Sequence, residues 1–162
     1  WEIALKSSNT PSAIVLSRQK LPYLNQDNSI KNKCEYGAYT VKVTSHDSNI
    51  VLVASGSELE LAIKVQEMLK DNNLEFKVVS MPCMELFDKQ HADYKKEIFS
   101  DNSIVFTLEA GNVSSWEKYK GNKGYSFGLE KFGESAPYKK VYEHFNLTEE
   151  KILNIIQAHL RK

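Results

Sequence analysis

The sequence has few of the features that mark whole classes of protein. Its 162 residues include only two cysteines, Cys34 and Cys83, which are too few for a disulfide scaffold or a four-ligand zinc site. We therefore expect a reducing, cytoplasmic setting. No apolar run approaches the roughly 18 residues that cross a membrane, and the N-terminus is unlike a signal peptide.

The chain also lacks an excess of charge of either sign. It has 21 basic and 21 acidic residues, a formal net charge of zero. Broad attraction to phosphate backbones or anionic lipid is therefore not expected, and neither nucleic acid nor membrane is a predicted partner. The four histidines show no metal-ligand spacing, so no metal-binding residue is predicted in this chain.

The first 36 residues differ in pattern from the rest. The chain starts at Trp1 without an initiator methionine, which favours a piece of a longer protein. Four apolar residues at 13–16, bounded by polar ones, predict a short strand buried on both faces. Residues 25–36 are polar and without periodicity, which is typical of a linker between domains. The predicted boundaries are therefore 1–24, 25–36 and 37–162.

Beyond the linker the pattern is that of alternating strands and helices. Strands are predicted at 38–43 (an antiparallel edge strand), 50–54, 76–80 and 104–108, with helices after Ser57, at 91–99 and from Thr148 to the C-terminus. Ser57 and Glu60 have the spacing of a capping box. Together these elements predict a doubly wound, mostly parallel α/β sheet with helices on both faces.

Four aromatic residues follow the last predicted strand. We expect them to pack against one another as core or interface; they are Trp116, Tyr119, Phe127 and Phe132.

Three places could carry chemistry, and each has an ordinary structural alternative. Ser55-Gly56-Ser57 could hold an anion at a helix N-terminus, but a plain strand-to-helix turn is favoured. Arg18 could grip a phosphate with two hydrogen bonds, although residue chemistry alone favours a solvated arginine. Cys83 could be a nucleophile only beside a base, so a small buried thiol is preferred.

Several segments, in order, resemble the transketolase family. Residues 10–22 read TPSAIVLSRQKLP, residues 50–58 read IVLVASGSE, and residues 78–82 read VVSMP, followed by LFDKQ at 86–90. Glu109-Ala110-Gly111 and the later aromatic and glycine positions continue the likeness. Each string alone is weak, but their order and spacing together are specific.

The resemblance implies a C-terminal fragment: the end of a pyrimidine-binding domain (1–24), a linker (25–36) and the family's last α/β domain (37–162). The complete enzyme would be a homodimer that transfers a two-carbon ketol unit between sugar phosphates, with thiamine diphosphate and Mg²⁺. The fragment would bind no cofactor and be inactive alone. Arg18 matches the arginine of the family's L-S-R-Q motif, which binds the substrate phosphate. Dihydroxyacetone synthase, or a stand-alone α/β small-molecule-binding module, is the alternative.

Overall fold

The structure, a computed structural model, describes residues 1–24, 32–45, 48–70 and 74–161. Most of the predicted linker (25–31) lies outside these ranges, as do residues 46–47, 71–73 and 162. Five strands form one sheet: β1 (Tyr39–Val43), β2 (Ile50–Ala54), β3 (Lys77–Ser80), β4 (Ile104–Leu108) and β5 (Tyr125–Phe127). The α-helices of these ranges are α1 (Glu2–Lys6), α2 (Glu58–Lys70), α3 (Met84–Asp88), α4 (Ala92–Ile98), α5 (Glu117–Lys120), α6 (Tyr138–His144) and α7 (Glu149–Leu160).

The sheet has the predicted mostly parallel order. The strands run β1-β3-β2-β4-β5, with β1 antiparallel to β3 at one edge and the other pairs parallel. Since β3 and β4 lie on opposite sides of β2, the chain reverses its direction across the sheet between them. The carboxyl ends of β2 and β4 therefore border the crevice where open α/β sheets bind ligands.

Helices cover both faces of the sheet, as predicted. Alternate β2 residues face opposite ways: Leu52 packs in a core with α2 and α7, whereas Val53 packs with α3 and α4. The predicted apolar stripe of α7 supplies Ile152 and Ile156, both fully buried. A strand that is buried on both faces needs an unbroken apolar run, and β2 has one.

The first predicted strand is absent from the structure. Residues 13–16 have no assigned secondary structure and no ladder partner among the described residues, and Val15 is 93% exposed to solvent. A strand forms only where a neighbour supplies its backbone hydrogen bonds, and the described sheet ends at β1 and β5. The prediction of a buried strand is therefore wrong for this chain.

The predicted aromatic cluster forms only in part. Trp116 is fully buried and contacts Tyr119 at 6.3 Å between ring centroids. Phe127 lies on the opposite face of the sheet, against Phe106. Phe132 is 95% exposed. Trp116 and Phe127 belong to the cores on opposite faces of the sheet, so they do not pack together.

The predicted capping box is replaced by other contacts. The Ser57 hydroxyl donates to the Glu58 carboxylate at 2.8 Å, and the Glu60 carboxylate pairs with Lys64 at 2.7 Å. Glu60 thus supports α2 as one side of an ion pair at i, i+4. Cys83 also differs from its prediction, since it is partly rather than fully buried.

Candidate functional site at the carboxyl edge of the sheet

Polar side chains meet at the carboxyl ends of β2 and β4. We call this group the switch-point cluster; it consists of Ser55, Ser57, Glu58, Glu109, Trp116 and Tyr142. Glu58 opens α2 directly after the turn that follows β2, and Glu109 follows β4. The neighbouring parallel strands thereby bring two carboxylates to the same edge.

Glu58 is buried and held by two hydroxyl groups. Its side chain is only 4% exposed. The Tyr142 hydroxyl donates to its Oε1, as does the Ser57 hydroxyl. These donors offset part of the cost of taking a carboxylate out of water. In return, the contact ties α6 to the start of α2.

Glu109, the second carboxylate of the cluster, has a pKa that is raised mainly by burial. Burial raises its pKa above 4.5, and the nearby charge of Glu58 acts in the same direction. Hydrogen bonds from Trp116 Nε1 at 3.1 Å and from the Ser55 hydroxyl at 3.5 Å oppose that rise by stabilising the charged form. The crevice is thus acidic, and its two carboxylates accept hydrogen bonds from neutral hydroxyl and indole N–H groups.

This geometry argues against anion binding at Ser55-Gly56-Ser57. The turn is closed by backbone hydrogen bonds from Glu58 to Ser55 and from Leu59 to Gly56. Two carboxylates already occupy the positive end of the α2 dipole, where a phosphate would otherwise be favoured. The interpretation as a strand-to-helix turn agrees with these contacts.

The N-terminal segment crosses this edge and brings Arg18 to it. Ser17 Oγ lies 3.8 Å from the position that a Cβ on Gly56 would take. Gln19 lines a cavity of about 300 Å³ together with Ser57 and Tyr142. Arg18 itself is exposed. Two features that the sequence singled out separately, Arg18 and the turn after β2, are therefore neighbours.

Sequence reasoning missed the acidic members of the cluster and Tyr142. Glu109 directly follows the buried strand β4, and Glu58 follows β2 after a three-residue turn. Once the strand order is known, these positions predict that both side chains lie at the ligand-binding edge of the sheet. Tyr142 has no such signal, because α6 was not predicted. Elsewhere in the described ranges, no three histidine, cysteine or acidic side chains come close enough to hold a metal ion. Nor is any described helix both long and apolar enough to cross a membrane.

The fold and this edge define a doubly wound α/β domain with an acidic switch-point crevice and an N-terminal segment laid across it. The family model of the transketolase-like C-terminal domain matches residues 37–148, and the chain belongs to that family. This confirms the resemblance seen in the sequence.

Individual relatives support the same assignment. The chain is 38% identical over 166 residues to the transketolase of Rhodobacter capsulatus, with 99% of this chain and 25% of that protein covered. The crystal structure of transketolase from Campylobacter jejuni superposes with a TM-score of 0.83 at 35% identity, over 94% of this chain and 23% of that one. A Pichia stipitis transketolase in complex with sedoheptulose-7-phosphate has a TM-score of 0.72 at 29% identity, over 80% of this chain and 18% of that one. The chain thus spans about a quarter of the length of the curated relatives it matches.

Proposed function

We propose that this chain is the C-terminal part of a transketolase that moves a two-carbon ketol unit from a ketose phosphate to an aldose phosphate in the cytoplasmic pentose phosphate pathway. The observation that carries the proposal is the continuous likeness to a transketolase over 99% of this chain. It includes the segment before residue 37, which the domain family alone does not match. The complete enzyme would act as a homodimer.

The residues of this chain do not fit the diphosphate of thiamine diphosphate, and no group of three acidic, histidine or cysteine side chains in the described ranges could hold its metal ion. The crevice at the end of β2 presents the carboxylates of Glu58 and Glu109, which would repel a diphosphate. We therefore assign thiamine diphosphate and Mg²⁺ to other parts of the complete enzyme. On its own, this chain would bind neither and catalyse nothing.

The N-terminal segment supports a role at an interface with the rest of the enzyme. It exposes several large apolar side chains, among them Leu5 at 82%, Val15 at 93% and Leu16 at 71%. Large apolar side chains that are exposed together on one short segment are typical of an interaction site. We propose residues 1–24 as the end of a preceding pyrimidine-binding domain and residues 25–36 as the linker to this one.

Arg18 is proposed to bind the phosphate of the sugar substrate. Its guanidinium is exposed, and no hydrogen bond or ion pair engages that side chain within the described ranges. A planar guanidinium recognises a phosphate through two parallel hydrogen bonds. The relative from Pichia stipitis, which has been solved with a sugar phosphate, is consistent with that class of substrate.

The test is substitution of Arg18 in the complete enzyme. A hydrogen bond to a charged group contributes about 1.5–3 kcal/mol, so Arg18→Ala should raise KM for a phosphorylated donor by roughly 10- to 100-fold. The KM for an unphosphorylated two-carbon ketol donor should change little, as should both values in Lys20→Ala, a matched loss of an exposed cation two residues away. Equal increases for both donors in Arg18→Ala would contradict the assignment.

A further inference from the structure

We propose that Tyr142 is a positioning residue that holds the backbone next to Arg18 against the α/β domain through Gln19. The inference rests on the proposed role of Arg18 and extends it to a residue 124 positions away in the chain. It assigns a specific task to this domain, which is to position the proposed phosphate-binding arginine.

The first anchor lies before Arg18. Gly56 adopts a positive φ of 51°, and a Cβ there would lie 3.8 Å from Ser17 Oγ. Ser17 thus rests directly over the turn that joins β2 to α2. The turn is short and closed by its own hydrogen bonds, and it borders the segment on the N-terminal side of the arginine.

The second anchor lies after Arg18. The Gln19 side chain lies close enough to the Tyr142 hydroxyl to oppose the rise of its pKa, and Gln19, Lys20, Leu21 and Tyr142 line the same cavity. Tyr142 therefore meets the segment at the residue immediately following the arginine.

Tyr142 is itself firmly held. Its hydroxyl donates to Glu58, which is 4% exposed and also accepts from Ser57 at 2.8 Å. Burial, followed by the bond to Glu58, raises the pKa of Tyr142 to about 12, so the hydroxyl remains a donor at neutral pH. The chain of contacts from Gln19 through Tyr142 to Glu58 connects the segment to the first residue of α2.

Arg18 depends on these neighbours for its placement. Its own side chain has no ion pair or hydrogen bond with any other residue of the described ranges, and it is exposed. An arginine that must meet a phosphate in a fixed direction loses binding when its backbone moves by about 1 Å. Ser17 and Gln19 restrict that movement, and Tyr142 restricts Gln19.

The experiment compares two donors in the complete enzyme carrying Tyr142→Phe. The KM for a ketose phosphate should rise roughly 3- to 10-fold, while the KM for an unphosphorylated two-carbon ketol donor should stay within about twofold. A purely structural role would affect both donors alike. The control is Tyr138→Phe, the same substitution on the same helix in the same cavity, at a side chain that is 51% exposed; it should change neither KM.

A second variant covers the case in which Tyr142→Phe fails to fold. Gln19→Met keeps the length of the side chain, leaves Glu58 with both hydroxyl donors, and removes the other end of the same contact. It should give the same selective increase. In an Arg18→Ala background, neither substitution should raise the KM for the ketose phosphate further, since the group they position is gone.

The outcomes separate the two claims. If Arg18→Ala fails to distinguish the donors, the proposed role of Arg18 is wrong, and the inference is overturned along with it. If Arg18→Ala distinguishes them but Tyr142→Phe and Gln19→Met do not, the positioning inference alone is overturned. An equal increase for both donors in these two variants has the same meaning.

Discussion

Two apolar runs in this chain look alike in sequence and differ completely in structure. Residues 13–16 read AIVL and residues 50–54 read IVLVA. In the second run Leu52 and Val53 are fully buried, whereas in the first Val15 is 93% and Leu16 71% exposed. The second run is β2, hydrogen-bonded on both sides to β3 and β4; the first has no ladder partner in the described sheet.

The difference shows that an unbroken apolar run indicates a segment that needs to be buried, but does not show that the chain itself can bury it. Apolar side chains without polar alternation need cover on both faces and a ladder partner on both edges. In the α/β domain, four helices cover the two faces of β2, and β3 and β4 pair with its two edges. Nothing that the structure describes supplies them for residues 13–16, so we interpret this run as a strand whose neighbours belong to the rest of the proposed enzyme.

The largest expected effect comes from truncating one leucine in each run. Leu52→Ala should lower the free energy of unfolding of this chain by about 3 kcal/mol, because it removes buried methyl groups and leaves a cavity. Leu16→Ala should change it by less than about 0.5 kcal/mol, since that side chain is already in water. Urea-induced unfolding of both variants, followed by circular dichroism, measures the two values.

The same two variants can also be compared in the complete enzyme. There Leu16→Ala should become costly, approaching the loss in Leu52→Ala, because the missing neighbours now cover it. A Leu16→Ala variant that is equally tolerated in the complete enzyme would mean that this run is exposed there too.

A smaller effect comes from one carboxylate in each region. Burial raises the pKa of Glu109 above 4.5, so its protonated form is favoured in the folded state. Its contribution to stability is fully present below about pH 4.5 and is lost as the pH rises through the folded-state pKa. Glu109→Gln should therefore flatten the decline in stability above pH 4.5, measured as unfolding free energy against pH.

Glu2 in the N-terminal segment provides the control of opposite sign. Its hydrogen bond with Lys6 lowers its pKa, so the stability it provides is present above pH 4.5 and lost as the pH falls. Because Glu2 is exposed, Glu2→Gln should leave the unfolding profile almost unchanged. A Glu109→Gln profile that is identical to wild type, or steeper above pH 4.5, would contradict the description of the crevice.

Sequence periodicity predicted the domain well where elements are long or buried. β2, β4 and α7 have unmistakable apolar patterns, and the antiparallel edge strand β1 was also predicted. The short helices α3 and α6 were not, because five to seven residues show too few turns for a helical period to emerge. Phe132 is predicted to join an aromatic cluster because aromatic rings are usually buried. It lies in a loop, however, and the neighbouring sequence does not show whether the ring packs against the domain.

The site was predictable only in pieces. Arg18 and the turn at Ser55-Gly56-Ser57 were both noted, but their proximity depends on how the N-terminal segment crosses the sheet. Tyr142 contacts Gln19 and Glu58 across 123 and 84 positions. Contacts between residues so far apart in the sequence depend on the tertiary fold. The periodicity of a single sequence does not reveal them.

The most direct test of this account is amide hydrogen exchange at the two apolar runs, compared between this chain and the complete enzyme. In this chain, the amides of Val15 and Leu16 should exchange at nearly the rate of an unfolded peptide, and those of Leu52 and Val53 should be strongly protected. In the complete enzyme, both pairs should be protected. Equal and rapid exchange of the Val15 and Leu16 amides in both proteins would contradict the claim that this run becomes a strand only when the rest of the proposed enzyme supplies its partners.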